Sequence, residues 1–181
     1  RQVTIIQERG EAQPYVTVTP DTINAAYTGG MQHISIASNV SWALSNTSDW
    51  ITLLTSSGTG DAEIDFVADM NSSQNERVAT LAIMYNFMVM GTVTVVQEGR
   101  PSLLETDITE INARPEGGEY TIHVTANQNW TIETSASWLT CTPSSGSNNG
   151  EFLVKIVPLT SVQPRSTELR IYGSFGATVV I

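Results

Sequence analysis

The chain is poor in several residue types, and each shortage narrows what it can be. One cysteine, Cys141, in 181 residues can form neither an intrachain disulfide nor a cysteine-based zinc site. Lysine occurs once, as Lys155, and the formal charge is −10 with a pI near 4.4. Nucleic acid and anionic lipid are both held through clustered Lys and Arg, so neither is expected as a partner. Apolar runs such as Phe87-Met88-Val89-Met90 end after a handful of residues, far short of a bilayer crossing. No HExxH, GxSxG or P-loop pattern occurs, and without such a constellation no enzyme activity and no cofactor are expected.

What the chain does have, it has twice. Trp42, Trp50 and Gly58 recur as Trp130, Trp138 and Gly146, each displaced by 88 positions. The same displacement carries Gly29-Gly30 onto Gly117-Gly118, Arg77 onto Arg165, Leu81 onto Leu169 and Ile83 onto Ile171. A fixed period over this many positions marks a repeated folding unit. The division it predicts is 13–99 and 100–181, preceded over 1–12 by the last strand of an earlier repeat. That last assignment rests on Val3-Thr4-Ile5-Ile6-Gln7-Glu8 matching Val93-Thr94-Val95-Val96-Gln97-Glu98. Ala177 to Ile181 reads as the same strand again, stopping short of its Gln, so the sequence reads either as part of a longer array or as a chain with disordered termini. Between the units the short joint Glu98-Gly99-Arg100-Pro101 predicts a semi-rigid rod.

Within each unit the apolar residues are mostly β-branched and alternate with polar ones. His33 to Ala37, Ser41 to Leu44, Ile51 to Leu54, Glu63 to Val67, Ala79 to Tyr85 and Thr92 to Gln97 read as short strands in the first unit. Tyr120 to Thr125, Trp130 to Glu133, Leu139 to Thr142, Phe152 to Val157, Thr167 to Tyr172 and Ala177 to Ile181 follow in the second. Strands this short, punctuated by Gly, Asn and Ser turns including Ser57-Gly58, predict all-β architecture: two tandem immunoglobulin-like Greek-key β-sandwiches. Trp42 alternates onto the face of Leu44, and Trp130 onto that of Ile132, as inward core aromatics do. Trp50 and Trp138 stand at strand entries, where a large ring can close the end of a sandwich. All four read as structural core. Cys141 falls on Leu53 of the first unit and reads as a small core hydrophobe.

Candidate functional features are those in which the copies differ. The hairpin Tyr85-Asn86-Phe87-Met88-Val89-Met90-Gly91 is longer and more apolar than Tyr172-Gly173-Ser174-Phe175-Gly176. An exposed apolar loop tip is costly without a partner, which makes Tyr85, Phe87 and Met88 the candidate ligand-binding residues; packing against the neighbouring unit is the alternative. His33 and His123 lie on strands at non-equivalent positions and read as solvated or packed strand residues. Asp61, Glu63 and Asp65 alternate on one strand, with Asp69 and Asn71 in the next loop. They form a solubilising face or a set of hard oxygen ligands, and their spacing matches no defined calcium loop, so no metal is expected. Arg77 and Arg165 read as ties to loop carbonyls or a carboxylate.

The order Trp42, Trp50-Ile51, Ser57-Gly58, Asn71, Arg77, a strand, then Val93 to Gln97 resembles the BACON domain. That is an immunoglobulin-like module of Bacteroidetes whose name records a proposed carbohydrate-binding role. The second unit repeats Trp130, Trp138-Leu139, Ser145-Gly146 and Arg165, with Leu159 where Asn71 stands. The resemblance implies a non-catalytic spacer or presentation arm, secreted or at the cell surface of a bacterial envelope, with a glycan or a surface protein as partner. An adhesin or fimbria-like subunit is the alternative, in which Val3 to Gln7 joins another molecule; a monomer is the expectation.

Overall fold

The computed structural model describes residues 3–5, 10 and 12–181, and the chain forms two compact units, Arg1–Arg100 and Pro101–Ile181. Among the described residues the first unit has nine strands: β1 (Val16–Thr19), β2 (Thr22–Ala25), β3 (Gly30–Ser38), β4 (Ser41–Asn46), β5 (Ile51–Leu53), β6 (Ser57–Thr59), β7 (Ala62–Ala68), β8 (Arg77–Tyr85) and β9 (Met88–Gln97). The second has β10 (Leu104–Thr106), β11 (Gly118–Ala126), β12 (Asn129–Thr134), β13 (Leu139–Thr142), β14 (Ser145–Ser147), β15 (Gly150–Ile156), β16 (Leu169–Gly173) and β17 (Thr178–Val180).

Each unit is a sandwich of two sheets, with strand orders β1-β3-β7-β5 and β2-β9-β8-β4-β6 in the first, β10-β11-β15-β13 and β14-β12-β16-β17 in the second. Consecutive strands such as β3 and β4 fall in opposite sheets, and β2 runs parallel to β9. This is the Greek-key crossing of an immunoglobulin-like fold. The alternation read from sequence supplies the core. Ile34 and Ile36 of β3, Ile64 and Phe66 of β7, Leu81 and Ile83 of β8, and Val93 and Val95 of β9 are buried. Their neighbours His33, Glu63, Asp65 and Thr80 are exposed. Ile122, Val124, Phe152, Val154, Leu169 and Ile171 repeat this in the second core.

The Ser57-Gly58 and Ser145-Gly146 pairs are not turns. They lie in β6 and β14, short edge strands that place Gly58 opposite Trp42 and Gly146 opposite Trp130. At both glycines a Cβ would overlap the indole Cζ2, so the ring lies directly on bare backbone. The indole Nε1 then donates to the Gly60 carbonyl at 2.8 Å, and in the second unit to the Asn148 carbonyl at 2.9 Å. Both acceptors have left-handed backbone, φ 72° at Gly60 and 57° at Asn148, the conformation that Gly and Asn adopt most readily. Sequence reading missed the strands because three polar or small residues carry no hydrophobic signal. What identifies them is the Trp that needs a glycine across the ladder.

A second contact is also repeated. The Arg77 guanidinium sits 4.4 Å from the centre of the Trp50 ring, and Arg165 sits 4.4 Å from that of Trp138. Arg77 donates from Nε to Gln97 Oε1 at 2.8 Å and from Nη2 to the Asp69 carbonyl at 2.8 Å. Gln97, fully buried, donates in turn to the carbonyls of Ala26 and Asp69. Asn71, buried beside it, donates to the carbonyls of Asn75 and Glu98 and accepts from the Ser73 amide. The arginines therefore tie loop carbonyls, as their retention in both copies suggested, and they also cover a tryptophan face. Trp50 is buried under its arginine, and Trp138, half-buried, packs against the second core beneath Arg165.

Val3 to Ile5 are described without strand structure, and Ile6 to Arg9 of the expected terminal strand lie outside the described residues. At the other end Ile181 exchanges backbone hydrogen bonds with Leu169, as Val93 pairs with Leu81. Ile181 is thus the counterpart of Val93.

Replacing Gly58 or Gly146 by alanine forces a methyl into an indole, and overpacking of this kind costs about 1–3 kcal/mol. Gln97→Ala strips partners from the Arg77 Nε and the Asp69 carbonyl, with a loss of about 1–3 kcal/mol. Urea unfolding followed by tryptophan fluorescence measures both, and midpoints equal to wild type would contradict the packing described.

Candidate functional site

The β8–β9 hairpin turns through two residues, Asn86 and Phe87, between the paired Tyr85 and Met88. Both turn residues have positive φ, 48° and 65°, as a type I′ turn requires. Asn suits that backbone; Phe does not, because a side chain in left-handed conformation crowds its own carbonyl by roughly 1–2 kcal/mol. Phe87 is also 99% exposed, and Met88 beyond it is 67% exposed. The apex therefore breaks two folding preferences at one residue, a pattern associated with functional positions.

The three residues singled out from sequence do not act alike. Phe87 and Met88 project into solvent with Val89, whereas Tyr85 is half-buried against the core together with Met90. Tyr85 thus anchors the hairpin, and Asn86, overlooked in the sequence, takes its place at the tip as an exposed amide next to the ring. A β-bulge between Ile83 and Met84 accompanies this tip, aiming its end residues away from the regular ladder. From Val78 to Gln97 no residue is charged, in a chain that is otherwise strongly acidic.

The corresponding hairpin of the second unit is held differently. Gln128, buried at the start of β12, accepts from the Phe175 amide at 2.9 Å and donates to the Leu103 carbonyl at 3.2 Å. Gly173 lies so close to the Gln128 amide that no Cβ fits there. The Phe175 side chain is half exposed, against 99% for Phe87. Its counterpart position to Gln128 in the first unit is Val40, which packs on the core.

A cavity of about 480 Å³ opens in the second unit, lined by Ile111, Trp138, Leu139, Arg165, Leu169 and Ile181 among others. Ile111-Asn112-Ala113 are the counterparts of Ile23-Asn24-Ala25, which in the first unit pair with Val95 to Gln97 of β9. The cavity is the counterpart of a slot that a strand fills in the first unit, and no ligand is assigned to it.

The remaining candidates are structural or solvated. Trp42, Trp50 and Trp130 are buried, so none offers a face to a ligand. Cys141 is half-buried against the core, like Leu53, and burial pushes its thiol pKa up, away from nucleophilic use. Asp61 accepts from the Ser38 amide at 2.9 Å, while Glu63 and Asp65 are taken by His33. His33 Nε2 lies 2.5 Å from Glu63 Oε2 and its Nδ1 2.8 Å from Asp65 Oδ1. His123 Nδ1 lies 2.7 Å from Asp107 Oδ2 and its Nε2 3.6 Å from Glu151 Oε2. Among the described residues no group of three or more His, Cys, Asp and Glu is arranged to hold a metal ion, and no helix is long and apolar enough to cross a membrane.

The viral BACON domain family matches the chain over residues 15–100 and again over 103–169. The chain has no match among the curated proteins. Among solved structures it is similar to a Bacteroides ovatus GH5 xyloglucanase in complex with a XXXG heptasaccharide. That likeness has 21% identity and a TM-score of 0.44, and covers 47% of this chain and 19% of that one. The E. coli chaperone DraB is similar at 7% identity and a TM-score of 0.39, over 92% of this chain and 94% of the other. The human desmocollin-1 ectodomain is similar at 9% identity and a TM-score of 0.37, over 96% and 36%. With two consecutive segments matched to one family, each holding its own tryptophan over a glycine and its own arginine over a tryptophan, the chain belongs to the viral BACON domain family and carries two of its β-sandwich units.

Proposed function

We propose that the two BACON units serve as a non-catalytic spacer or presentation arm on a secreted or surface-exposed protein, and that the β8–β9 hairpin of the first unit is its carbohydrate contact. One observation carries the reading: Phe87 is fully exposed in a strained backbone conformation at the apex of an uncharged hairpin. An aromatic face stacks on the apolar C–H face of a pyranose ring, and the neighbouring Asn86 amide supplies both a donor and an acceptor for sugar hydroxyls. Met88 extends the apolar platform. Tyr85 and Met90, packed on the core, hold the tip so that little ordering accompanies binding.

The non-catalytic part of the reading draws support from the chemistry on the surface. Both histidines are engaged by carboxylates on open sheet faces, and the thiol is held protonated by burial. The expected setting is the bacterial envelope or its exterior; the family's viral description extends it to the surface of a virus particle. A contact of three side chains yields on the order of −4 kcal/mol, or about 1 mM, so useful binding would come from many units acting together.

A second reading, an adhesin or fimbria-like subunit joined through Val3 to Gln7, is favoured by the exposure of Val3 and Ile5. Light scattering that finds only monomer at high concentration removes it.

Two measurements test the hairpin. On an array of mucin and plant glycans, wild type should bind a defined subset and Phe87→Ala should lose it; an array without hits sets the carbohydrate reading aside. Phe87→Gly restores the favoured Asn-Gly turn and should stabilise the first unit by about 1 kcal/mol, raising its melting temperature by roughly 4–8 °C, while abolishing binding. A Phe87→Gly protein that is no more stable than wild type would show that no strain is stored at the apex.

A further inference from the structure

The chain contains two histidines, one in each unit, and each sits between two carboxylates on the outward face of the same sheet. Inheritance from a common repeat does not account for the match. The counterpart of His33 is Thr121, that of His123 is Ser35, that of Asp65 is Leu153 and that of Asp107 is Thr19; Glu63 and Glu151 alone correspond. Each unit has reached the arrangement with a different residue set.

We propose that these clusters are proton-operated clamps: with the imidazole charged, each ties neighbouring strands of its outer sheet together, and loss of the proton leaves carboxylates facing one another and loosens that sheet. In the first unit His33 of β3 bridges to Glu63 and Asp65 of β7, and Ser35 Oγ donates to Glu63 at 2.6 Å. The edge strand β1 brings Thr17 and Thr19 alongside and no charge. In the second unit the clamp joins β11 and β15 to the segment that follows β10. Asp107, just past the edge strand β10, accepts from both the backbone amide and the ring Nδ1 of His123 on β11. Glu151 of β15 closes the other side. Glu105 of β10 is the further acidic group on this face, and Lys155 is already paired with Glu119 at 3.1 Å.

The electrostatics agree with this geometry. Asp65, then Glu63, hold the His33 imidazole above its ordinary value of 6.5; Asp107, then Glu151, do the same for His123. Ser35 and His33 hold Glu63 below its ordinary value, and His123 holds Asp107 below its own. A histidine whose pKa is raised by folding adds stability that is complete below 6.5 and is lost as pH rises through the folded value. The carboxylates act in the opposite sense, so their contribution fails only as pH falls through their lowered values. Both clamps are therefore intact on the weakly acid side of neutrality and released on the alkaline side. All the groups are exposed, which makes the change modest and sensitive to salt.

An NMR titration of the 181-residue chain tests this directly, since its two imidazole C2–H signals are the only ones to assign. Both midpoints should lie above 6.5; Asp65→Asn should lower only that of His33, and Asp107→Asn only that of His123. In parallel, thermal unfolding should show wild type more stable at pH 6 than at pH 8.5, and a His33→Gln, His123→Gln variant should be level between the two. Midpoints at or below 6.5 would overturn the proposal. So would raised midpoints without the difference in stability, or a difference that survives in the double variant. The hairpin is not involved, so a failed glycan experiment and a failed titration are distinct results.

Discussion

A tryptophan lying flat on a glycine in the neighbouring strand is the contact on which each unit depends. Burying a tryptophan removes 150–250 Å² from water, which at about 25 cal/mol per Å² amounts to roughly 4–6 kcal/mol before the opposing entropy is counted. A domain of this size has a net stability of the same order. Trp42 achieves its burial only because Gly58 has no side chain, and its Nε1 is satisfied only because the chain turns at Gly60 to present a carbonyl. Two residues, one in an edge strand and one at its exit, are thereby dictated by a single ring. Trp130, Gly146 and Asn148 restate the same constraint. The 88-residue period persists at the tryptophan and the glycine facing it, while the acceptor position tolerates Gly or Asn, both of which adopt its left-handed backbone.

Outside that constraint the copies have drifted in ways the physics allows. On the outer sheet face, Met31 opposite Val67 in the first unit becomes Glu119 paired with Lys155 in the second, an apolar contact exchanged for an ion pair at a site where solvent tolerates either. At the hairpins the divergence is larger: Gln128 links the backbone of one tip, at the Phe175 amide, to the Leu103 carbonyl, and the other tip projects. The inner faces have not moved in this way. Leu81 and Leu169, Ile83 and Ile171, and Phe66 against Val154 across the shared position pattern all keep apolar bulk where close packing admits little else.

Much of this was legible in the residues alone. Periodicity two gave the strands of both cores, and the repeat gave the number of units, because burial on one face leaves a direct imprint on the chain. The short strands β6 and β14 were not legible, because their residues are small or polar and they exist through pairing; β10 has one buried apolar residue, Leu104, and is too short to show alternation. Nor was the role of Arg77 fully legible, since stacking on Trp50 is a relation between residues far apart in sequence whose spacing has no period. At the candidate site, composition pointed to the hairpin and to Phe87 and Met88. Tyr85 was grouped with them by composition, yet it follows Leu81 and Ile83 on one face of β8 and packs on the core, the bulge residue being Met90 of the partner strand.

The same division bears on where the proposed carbohydrate contact can lie in such a module. A sandwich this small commits its tryptophans, and the arginines that cover them, to holding two sheets together, so an aromatic that is to meet a ligand must come from outside the core. A two-residue hairpin turn is the position where a side chain is most exposed and where its loss least disturbs packing. It is also where most side chains are least comfortable, since the type I′ backbone favours Asn and Gly. Phe87 accepts that discomfort at the apex, with a rigid base beneath it formed by Tyr85 and Met90. Strain of about 1–2 kcal/mol is small beside the 4–6 kcal/mol that each buried tryptophan contributes. The duplicated core is what leaves one hairpin free to carry a residue that folding alone would reject.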